Sequence, residues 1–162
     1  MRLLHEITAI ALAVLLGFAV SQLPRFIQEY EQRLGGALQE ATRQLDEFHR
    51  NADGAGLSFN EYVGRHLDSN DAAMRATGRT IQDSVHRVSD LRDEARRLGE
   101  ASKFAKPLVL ARTFDASLLR ATWDSFGVTA TFDPAFGAIG LVLGWLLNGL
   151  LWLLVPRPRA YR

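Results

Sequence analysis

Four histidines are the side chains in this sequence best suited to bind a metal ion or to move a proton near neutral pH. His5 and Glu6 begin an H-E-x-x-H motif, but position 9 is alanine, so the second metal ligand of that motif is absent. The other three histidines fall on three different predicted helices, as His49, His66 and His86. Because a metal site needs several ligands at a defined geometry, we predict no metal site and expect ordinary solvated or seam-edge histidines.

The carboxylates and the remaining motifs predict no catalytic site either. Five carboxylates could in principle include an acid and base pair, but they lie on one amphipathic helix, which offers no cleft to shift their pKa values: Glu29, Glu31, Glu40, Asp46 and Glu47. The absence of cysteine excludes thiolate catalysis and cysteine-ligated metals. No G-x-S-x-G, phosphate-loop or dinucleotide motif occurs. We therefore expect no catalytic residue, no cofactor and no enzyme activity.

The charges are distributed unevenly along the 162 residues. Residues 25–133 contain 15 Lys and Arg against 17 Asp and Glu, a net charge of −2, whereas the two ends contain four arginines and one glutamate. Long uncharged stretches separate the charges of the ends. The total of +1 provides no basic face for nucleic acid, so we expect no nucleic-acid partner. The pattern predicts a membrane protein with a polar middle and the lipid bilayer as its partner.

Two apolar stretches predict transmembrane helices at residues 3–23 and 136–155. Each approaches the roughly 20 residues that cross a hydrocarbon core of about 30 Å. The alternative for the first stretch is a cleaved signal peptide, because Ala19, Val20 and Ser21 offer small residues for cleavage. Apolar character that outlasts a signal core, and a helical pattern that resumes at Phe26, favour an uncleaved anchor.

Small or polar residues recur at every fourth position of both stretches. They are Ala9, Ala13, Gly17 and Ser21 in the first, and Gly140, Gly144 and Asn148 in the second. Such a stripe lets two helix backbones approach closely in lipid, and antiparallel packing would place Gly17 and Ser21 beside Gly140 and Ala9 beside Asn148. Asn148 would then need a partner, such as Thr8 or a backbone carbonyl. The alternative is that Gly and Ala are simply frequent in membrane helices.

The polar middle, residues 25–106, predicts an antiparallel, coiled-coil-like helical hairpin. A first helix reaches about Arg50, a turn follows, Ser58 and Glu61 have capping-box spacing, and a long helix runs from Asp71 to about Ala105. The predicted seam is Leu34, Leu38, Ala41, Leu45 and Phe48 on the first helix, and Ile81, Val85, Val88, Leu91 and Leu98 on the second. Glu31 interrupts this seam, and Glu94 is expected on or near the solvated face.

Residues 107–135 predict an amphipathic, membrane-proximal segment that begins with a helix at Pro107. The expected membrane-interface side chains are Trp123, Phe126, Phe132, Trp152, Arg157 and Arg159. The alternative is that the rings at 123–132 only close the base of the hairpin, because an amphipathic pattern does not separate lipid from protein contact.

The short tail at residues 156–162 is basic, and short basic segments stay in the cytoplasm. Two spans then place both termini inside and the middle outside. The fold class is therefore all-α, with two transmembrane helices joined by an extracytoplasmic helical hairpin. The expected location is a bacterial inner membrane with a periplasmic central domain.

Two segments carry a resemblance to a known family: LPRFIQEYEQRLGGALQEA at Leu23 to Ala41, and G-x-S-x-x-E-Y at Gly56 to Tyr62. Together with the long central helix and the basic tail, they make the chain similar to small two-span proteobacterial inner-membrane proteins that form a domain of unknown function. The resemblance covers nearly the whole chain and implies the two-span layout. It implies no activity.

These observations favour a membrane-anchored, non-catalytic helical scaffold or interaction protein. Its partner would be a second copy of the chain or another membrane protein. The alternatives are an accessory subunit of a transporter or membrane enzyme complex, or a lipid-handling protein that uses the aromatic residues near Trp123.

Overall fold

A computed structural model of the chain describes residues 2–127 and 133–154, and all regular secondary structure among them is helical. The helices are α1 (Arg2–Ser21), α2 (Leu23–Gly54), α3 (Phe59–Leu67), α4 (Ala72–Glu100), α5 (Lys106–Thr113), α6 (Ala116–Ser125) and α7 (Pro134–Leu154). The predicted all-α class is therefore confirmed. The predicted interface residues Phe132, Arg157 and Arg159 lie outside the described residues, as does the side chain of Trp152.

The chain divides into two compact units. The first contains the chain up to Gln28 and from Trp123 onwards, and the second contains Glu29–Thr122. We call the second unit the helical domain. The first unit holds the apolar helices α1 and α7, and the helical domain holds α3, α4, α5 and most of α2 and α6.

Local sequence explains where the apolar helices begin and end. The Ser21 hydroxyl donates to the Phe18 carbonyl at 2.7 Å, and the chain turns at Gln22 before α2 begins. Pro24 lies in the first turn of α2, where its missing N–H costs no helical hydrogen bond. At α7, the Asp133 carboxylate accepts from the backbone N–H of Ala135 at 3.1 Å and of Phe136 at 3.2 Å. A side-chain cap therefore starts this helix.

The long helices of the helical domain run in opposite directions. Tyr30 near the start of α2 contacts Glu94 near the end of α4, and Ala41 farther along α2 lines the same cleft as Ser84, farther back on α4. The helix α2 ends at Gly54, four residues beyond the predicted end at Arg50. A glycine cap ends it there. Gly56 has φ +68°, its N–H donates to Asp53, and the N–H of Leu57 donates to Ala52.

The segment after α4 differs from the sequence prediction. The helix α4 ends at Glu100 rather than near Ala105, because the backbone of Ala101 is extended, with its N–H donating to the Leu98 carbonyl. Two short helices replace the predicted single one, since the Asp115 carboxylate accepts from the backbone N–H of Ser117 at 2.8 Å and of Leu118 at 3.0 Å. This cap ends the continuity of α5 and starts α6.

The helix α3 packs against α4 within the helical domain. The Ser58 hydroxyl accepts from the Glu61 backbone N–H at 3.3 Å, as the S-x-x-E spacing predicts. The Glu61 carboxylate turns away from the cap and pairs with Arg65. On α4, Gly78 is buried where a methyl group would lie 2.9 Å from the Leu67 side chain, so glycine permits the close contact with α3.

Candidate functional site

The closest approach of two backbones in the first unit is between α1 and α7. A methyl group added at Gly140 would lie 2.6 Å from the Cα of Gly17 and closer still to the Leu16 carbonyl oxygen. One added at Gly144 would lie 2.9 Å from the backbone nitrogen of Ala13. Glycine is therefore required at both positions. The register pairs Gly17 with Gly140 and Ala13 with Gly144, so the helices are antiparallel. We call these four residues the glycine seam.

The remaining residues of the predicted stripe lie at or near the same contact. Asn148 and Ser21 are buried, at 3% and 2% exposure, while Ala9 is half-buried. The Ser21 hydroxyl bonds within its own helix rather than across to α7.

Large apolar side chains cover the rest of both helices and are exposed. Among the described side chains they include Ile10, Val14, Leu15, Val142, Trp145, Leu146 and Leu150. Among the described residues, one helical stretch is long and apolar enough to cross a membrane, Glu6–Gly54, which contains α1 from Glu6 onwards. The described apolar portion of α7, Pro134–Leu150, is shorter. The pair is thus tightly packed along one stripe and apolar elsewhere.

Aromatic residues of the first unit cluster between the start of α2 and the end of α6. Phe26 makes edge-on contacts with Phe126 at a centroid distance of 5.3 Å and with Trp123 at 6.1 Å. Phe126 is half-buried in this cluster, whereas Trp123 is 71% exposed. Phe126 and Trp123, both predicted to lie at a membrane interface, therefore differ. Phe126 packs within the protein, and Trp123 is exposed on its surface.

The predicted hairpin seam is unevenly buried in the helical domain. Five of its residues are buried, Leu34, Ile81, Val88, Leu91 and Leu98, and four are half-buried, Leu38, Ala41, Leu45 and Phe48. Val85 is 37% exposed and lines a cleft of about 380 Å³ between α3 and α4 instead of a closed seam. The start of the seam also differs from the prediction, because Tyr30 and not Glu31 occupies the core position between Ile27 and Leu34.

A buried polar cluster joins three parts of the helical domain. Tyr30 is fully buried, its hydroxyl donates to the Glu94 carboxylate, and the same oxygen accepts from the backbone N–H of Asp115 at 2.8 Å. Glu94 is only 7% exposed, so its expected place on the solvated face is wrong. The Asp115 carboxylate in turn pairs with Arg87 of α4. We call these residues, Tyr30, Glu94, Asp115 and Arg87, the tyrosine node.

The environment of the tyrosine node shifts its proton affinities in opposite directions. Burial raises the pKa of Glu94, although the Tyr30 hydrogen bond acts against this. Burial and the bond to Glu94 also raise the pKa of Tyr30. Partial burial acts to raise the pKa of Asp115, but hydrogen bonds from Arg87, Ser117 and the Leu118 amide outweigh it and hold that pKa well below its usual value. At neutral pH the Asp115 carboxylate that pairs with Arg87 is thus charged.

A second polar contact lies one residue farther along α2. Glu31 pairs with Lys106 at the start of α5, and both side chains are about three-quarters buried. Glu31 therefore forms an ion pair with α5 and does not interrupt the seam. Sequence reasoning missed this arrangement, although the spacing of Ile27, Tyr30 and Leu34 follows the same three-and-four pattern that located the rest of the seam.

The three histidines whose side chains the structure describes occupy separate places. His49 stacks on Phe59 at 3.9 Å between ring centroids, His66 is buried with Nδ1 2.8 Å from the Tyr62 carbonyl oxygen, and His86 lines the α3–α4 cleft. Among the described residues, no group of three or more His, Asp or Glu side chains is arranged to hold a metal ion. The histidines thus stabilise or border α3.

These features define an all-helical protein in which a closely packed apolar helix pair is joined to a polar helical domain. A family profile described as "Protein of unknown function (DUF2937)" matches residues 4–161, and the chain belongs to that family. No curated protein and no solved structure matches the chain.

Proposed function

We propose that this protein is a two-pass membrane protein in which α1 and α7 anchor the helical domain as a non-catalytic scaffold or interaction module. The glycine seam is the observation that carries this proposal. Apolar helices gain little from the hydrophobic effect when they associate in lipid, so close backbone contact must supply the attraction. That is the contact made by Gly140 and Gly144.

The surface around the seam supports the same proposal. Exposed Ile, Leu, Val and Trp side chains surround α1 and α7, and a contiguous apolar surface of this kind is a liability in water. In a bilayer these side chains face hydrocarbon of their own polarity. The described helices also satisfy their backbone groups internally, as the membrane interior requires.

The polar contacts of the helical domain support a structural role for it. The buried Tyr30 hydroxyl and Glu94 carboxylate and the Arg87–Asp115 ion pair connect α2, α4 and the junction of α5 and α6. Satisfied networks of this kind rigidify a fold and fix helix register. This arrangement supports the proposed structural role of the domain.

The orientation follows from the tail charges. Arg157, Arg159 and Arg162 follow the second apolar stretch, and short basic segments are retained in the cytoplasm. With two crossings, both termini lie in the cytoplasm and the helical domain lies outside, in the periplasm of a bacterium with an outer membrane.

Reporter fusions and carbonate extraction test this proposal. A fluorescent protein fused after Arg162 should be fluorescent, and alkaline phosphatase at the same point should be inactive. In the cysteine-free chain, Asn70→Cys should react with a membrane-impermeant maleimide added outside the cytoplasmic membrane. An active phosphatase fusion, or a chain that carbonate releases from membranes, would contradict the proposal.

Purification in a mild detergent separates the possible partners. A homo-oligomer favours a self-associating scaffold. A stoichiometric larger complex favours an accessory subunit of another membrane assembly, and tightly retained lipid favours lipid handling.

A further inference from the structure

The chain between α4 and the end of the helical domain is basic, unlike the rest of that domain. Residues 101–122 contain four cations and one acid, a net charge of +3, whereas residues 29–100 contain ten cations and 14 acids, a net charge of −4. Lys106 and Asp115 are committed to Glu31 and Arg87. Arg112 and Arg120 are exposed and form no ion pair with another described residue.

Large apolar side chains lie on the same segment and are also exposed. Phe104 is 61% exposed, Leu108 is 55% exposed and Phe114 is 44% exposed. Leu108 and Arg112 are one turn apart on α5, while Leu110 is buried and α5 packs against α4. We call the exposed residues the α5 surface: Phe104, Leu108, Arg112, Phe114 and Arg120. Exposed apolar and cationic groups mixed on one short segment are typical of segments that lie on anionic membranes.

Polar contacts hold this segment near the membrane end of α2. Asp115 bonds to Tyr30, and Lys106 pairs with Glu31. These two α2 residues follow Leu23, the last residue of the apolar stretch, by seven and eight positions. At a rise of 1.5 Å per residue, the length of chain limits their distance from the end of that stretch to about 11 Å, compared with a headgroup layer roughly 5–8 Å thick.

We propose that the α5 surface binds the anionic headgroups of the bilayer that holds α1 and α7. This inference rests on the membrane insertion proposed above. Phe104, Leu108 and Phe114 enter the headgroup layer, and Arg112 and Arg120 bind lipid phosphates, for which the guanidinium fork is well suited. The net charge of +3 complements a negatively charged surface, and the negative remainder of the domain is repelled from it.

A single fluorescent label tests this surface, because the chain has no native cysteine. Leu108→Cys, labelled with an environment-sensitive dye, is reconstituted as the full chain into phosphatidylcholine vesicles with or without about 30% phosphatidylglycerol, an anionic lipid. Spin-labelled lipids serve as quenchers. Ile10→Cys reports insertion of α1, and Asn70→Cys, on the loop before α4, reports a site away from the bilayer. Phe114→Cys gives a second reading of the α5 surface.

We expect quenching at Leu108→Cys and Phe114→Cys to be several-fold stronger in the anionic vesicles. Raising the salt from about 0.1 M to about 1 M, which shortens the screening length from about 10 Å to about 3 Å, should remove most of this difference. The double change Arg112→Gln and Arg120→Gln should do the same. Arg79→Gln with Arg92→Gln, which removes two exposed charges from α4, should have little effect.

The other possible results separate the lipid contact of the α5 surface from the membrane insertion of α1. If Ile10→Cys is quenched but both α5 labels are not, the inference fails and the membrane anchor stands. If the α5 labels are quenched equally in neutral vesicles, the proposed arginine–phosphate contact fails. If Ile10→Cys is itself not quenched, the membrane function and the inference fail together.

Discussion

Tyr30 joins α2, α4 and the α5–α6 junction through one oxygen atom. The hydroxyl donates to Glu94 and accepts from the Asp115 amide while the whole side chain is excluded from solvent. A buried acceptor and a buried donor thus depend on the same group. Such a group costs little when it is satisfied and much when one partner is removed.

We predict that Tyr30→Phe lowers the free energy of unfolding by about 1–3 kcal/mol, because it leaves Glu94 and the Asp115 amide without their shared partner. Thermal or denaturant unfolding of the full chain in mild detergent measures this. Tyr62→Phe is the matched control, because the contacts of Tyr62 in the structure are made by its ring and backbone carbonyl. Equal stability of the two variants would contradict a role for the node.

The tyrosine node also predicts a pH dependence of stability. The folded-state pKa of Glu94 is raised above 4.5, so the folded chain holds this proton more tightly than the unfolded chain. Its contribution is present below pH 4.5 and is lost as the pH rises through the folded value. We expect Glu94→Gln to abolish this loss of stability above pH 4.5. Asp90→Asn, on the exposed side of α4, controls for removal of one carboxylate.

Asp115 contributes with the opposite sign. Its folded-state pKa lies below 3.8, so its stabilisation is present above that pH and is lost as the pH falls further. The two effects occupy different pH ranges, so unfolding curves across both ranges separate them. A flat difference between wild type and Glu94→Gln across the upper range would exclude a buried, proton-holding Glu94.

At the scale of the helices, sequence periodicity located most elements and their ends were set by single residues. The run of apolar positions gave α2 and α4, because one buried face repeats every three or four residues. It did not give the end of α2 at Gly54 or the break before Asp115. Those depend on a left-handed glycine and on a carboxylate cap, which compete with helix continuation by small local energies.

Periodicity also failed where a core position is polar. Tyr30 and Glu94 occupy buried seam positions, but an apolar template skips them. Their burial depends on each other and on Asp115, which is distant in sequence. In contrast, the facing of Gly17 with Gly140 could be anticipated, because small residues at every fourth position allow one close antiparallel register.

Substitution by alanine should change the stability of the helical domain in opposite directions at two of its glycines. Gly36 lies within α2 with open space around it, so Gly36→Ala should raise stability by about 0.5–1 kcal/mol. Gly56 has φ +68° at the cap of α2, so Gly56→Ala should lower stability by about 1 kcal/mol. Unfolding of both variants under one condition tests the pair, and a stabilising Gly56→Ala would contradict the glycine cap.

The contact between α3 and α4 gives a further prediction. Gly78→Ala places a methyl group 2.9 Å from the Leu67 side chain and 3.0 Å from its backbone nitrogen, so α3 must shift. We expect faster amide exchange in α3 and a loss of about 1–3 kcal/mol. Gly99→Ala, on the same helix with open space around it, should leave exchange in α3 unchanged. Equal protection of α3 in both variants would argue against this packing.

At the scale of the whole molecule, the packing of α1 against α7 can be tested by comparing a large side chain on the contact face of α7 with one on its open face. Gly144→Leu places a large side chain against Ala13 of α1, whereas Gly149→Leu enters open space on the same helix. With cysteines at Ala9→Cys and Asn148→Cys, crosslinking of α1 to α7 in membranes should fall several-fold with Gly144→Leu and remain with Gly149→Leu. The helical domain should stay folded in both.

The glycine seam also determines how the anchor responds to its surroundings. Because Gly140 and Gly144 leave no space for a side chain, α1 and α7 cannot slide past each other by a residue without collision. In bilayers of different thickness, a lone helix adapts by changing its own inclination. In the proposed two-pass arrangement, the locked register favours a shared change of tilt in both helices, so lipid thickness would act on the protein as a single angular variable.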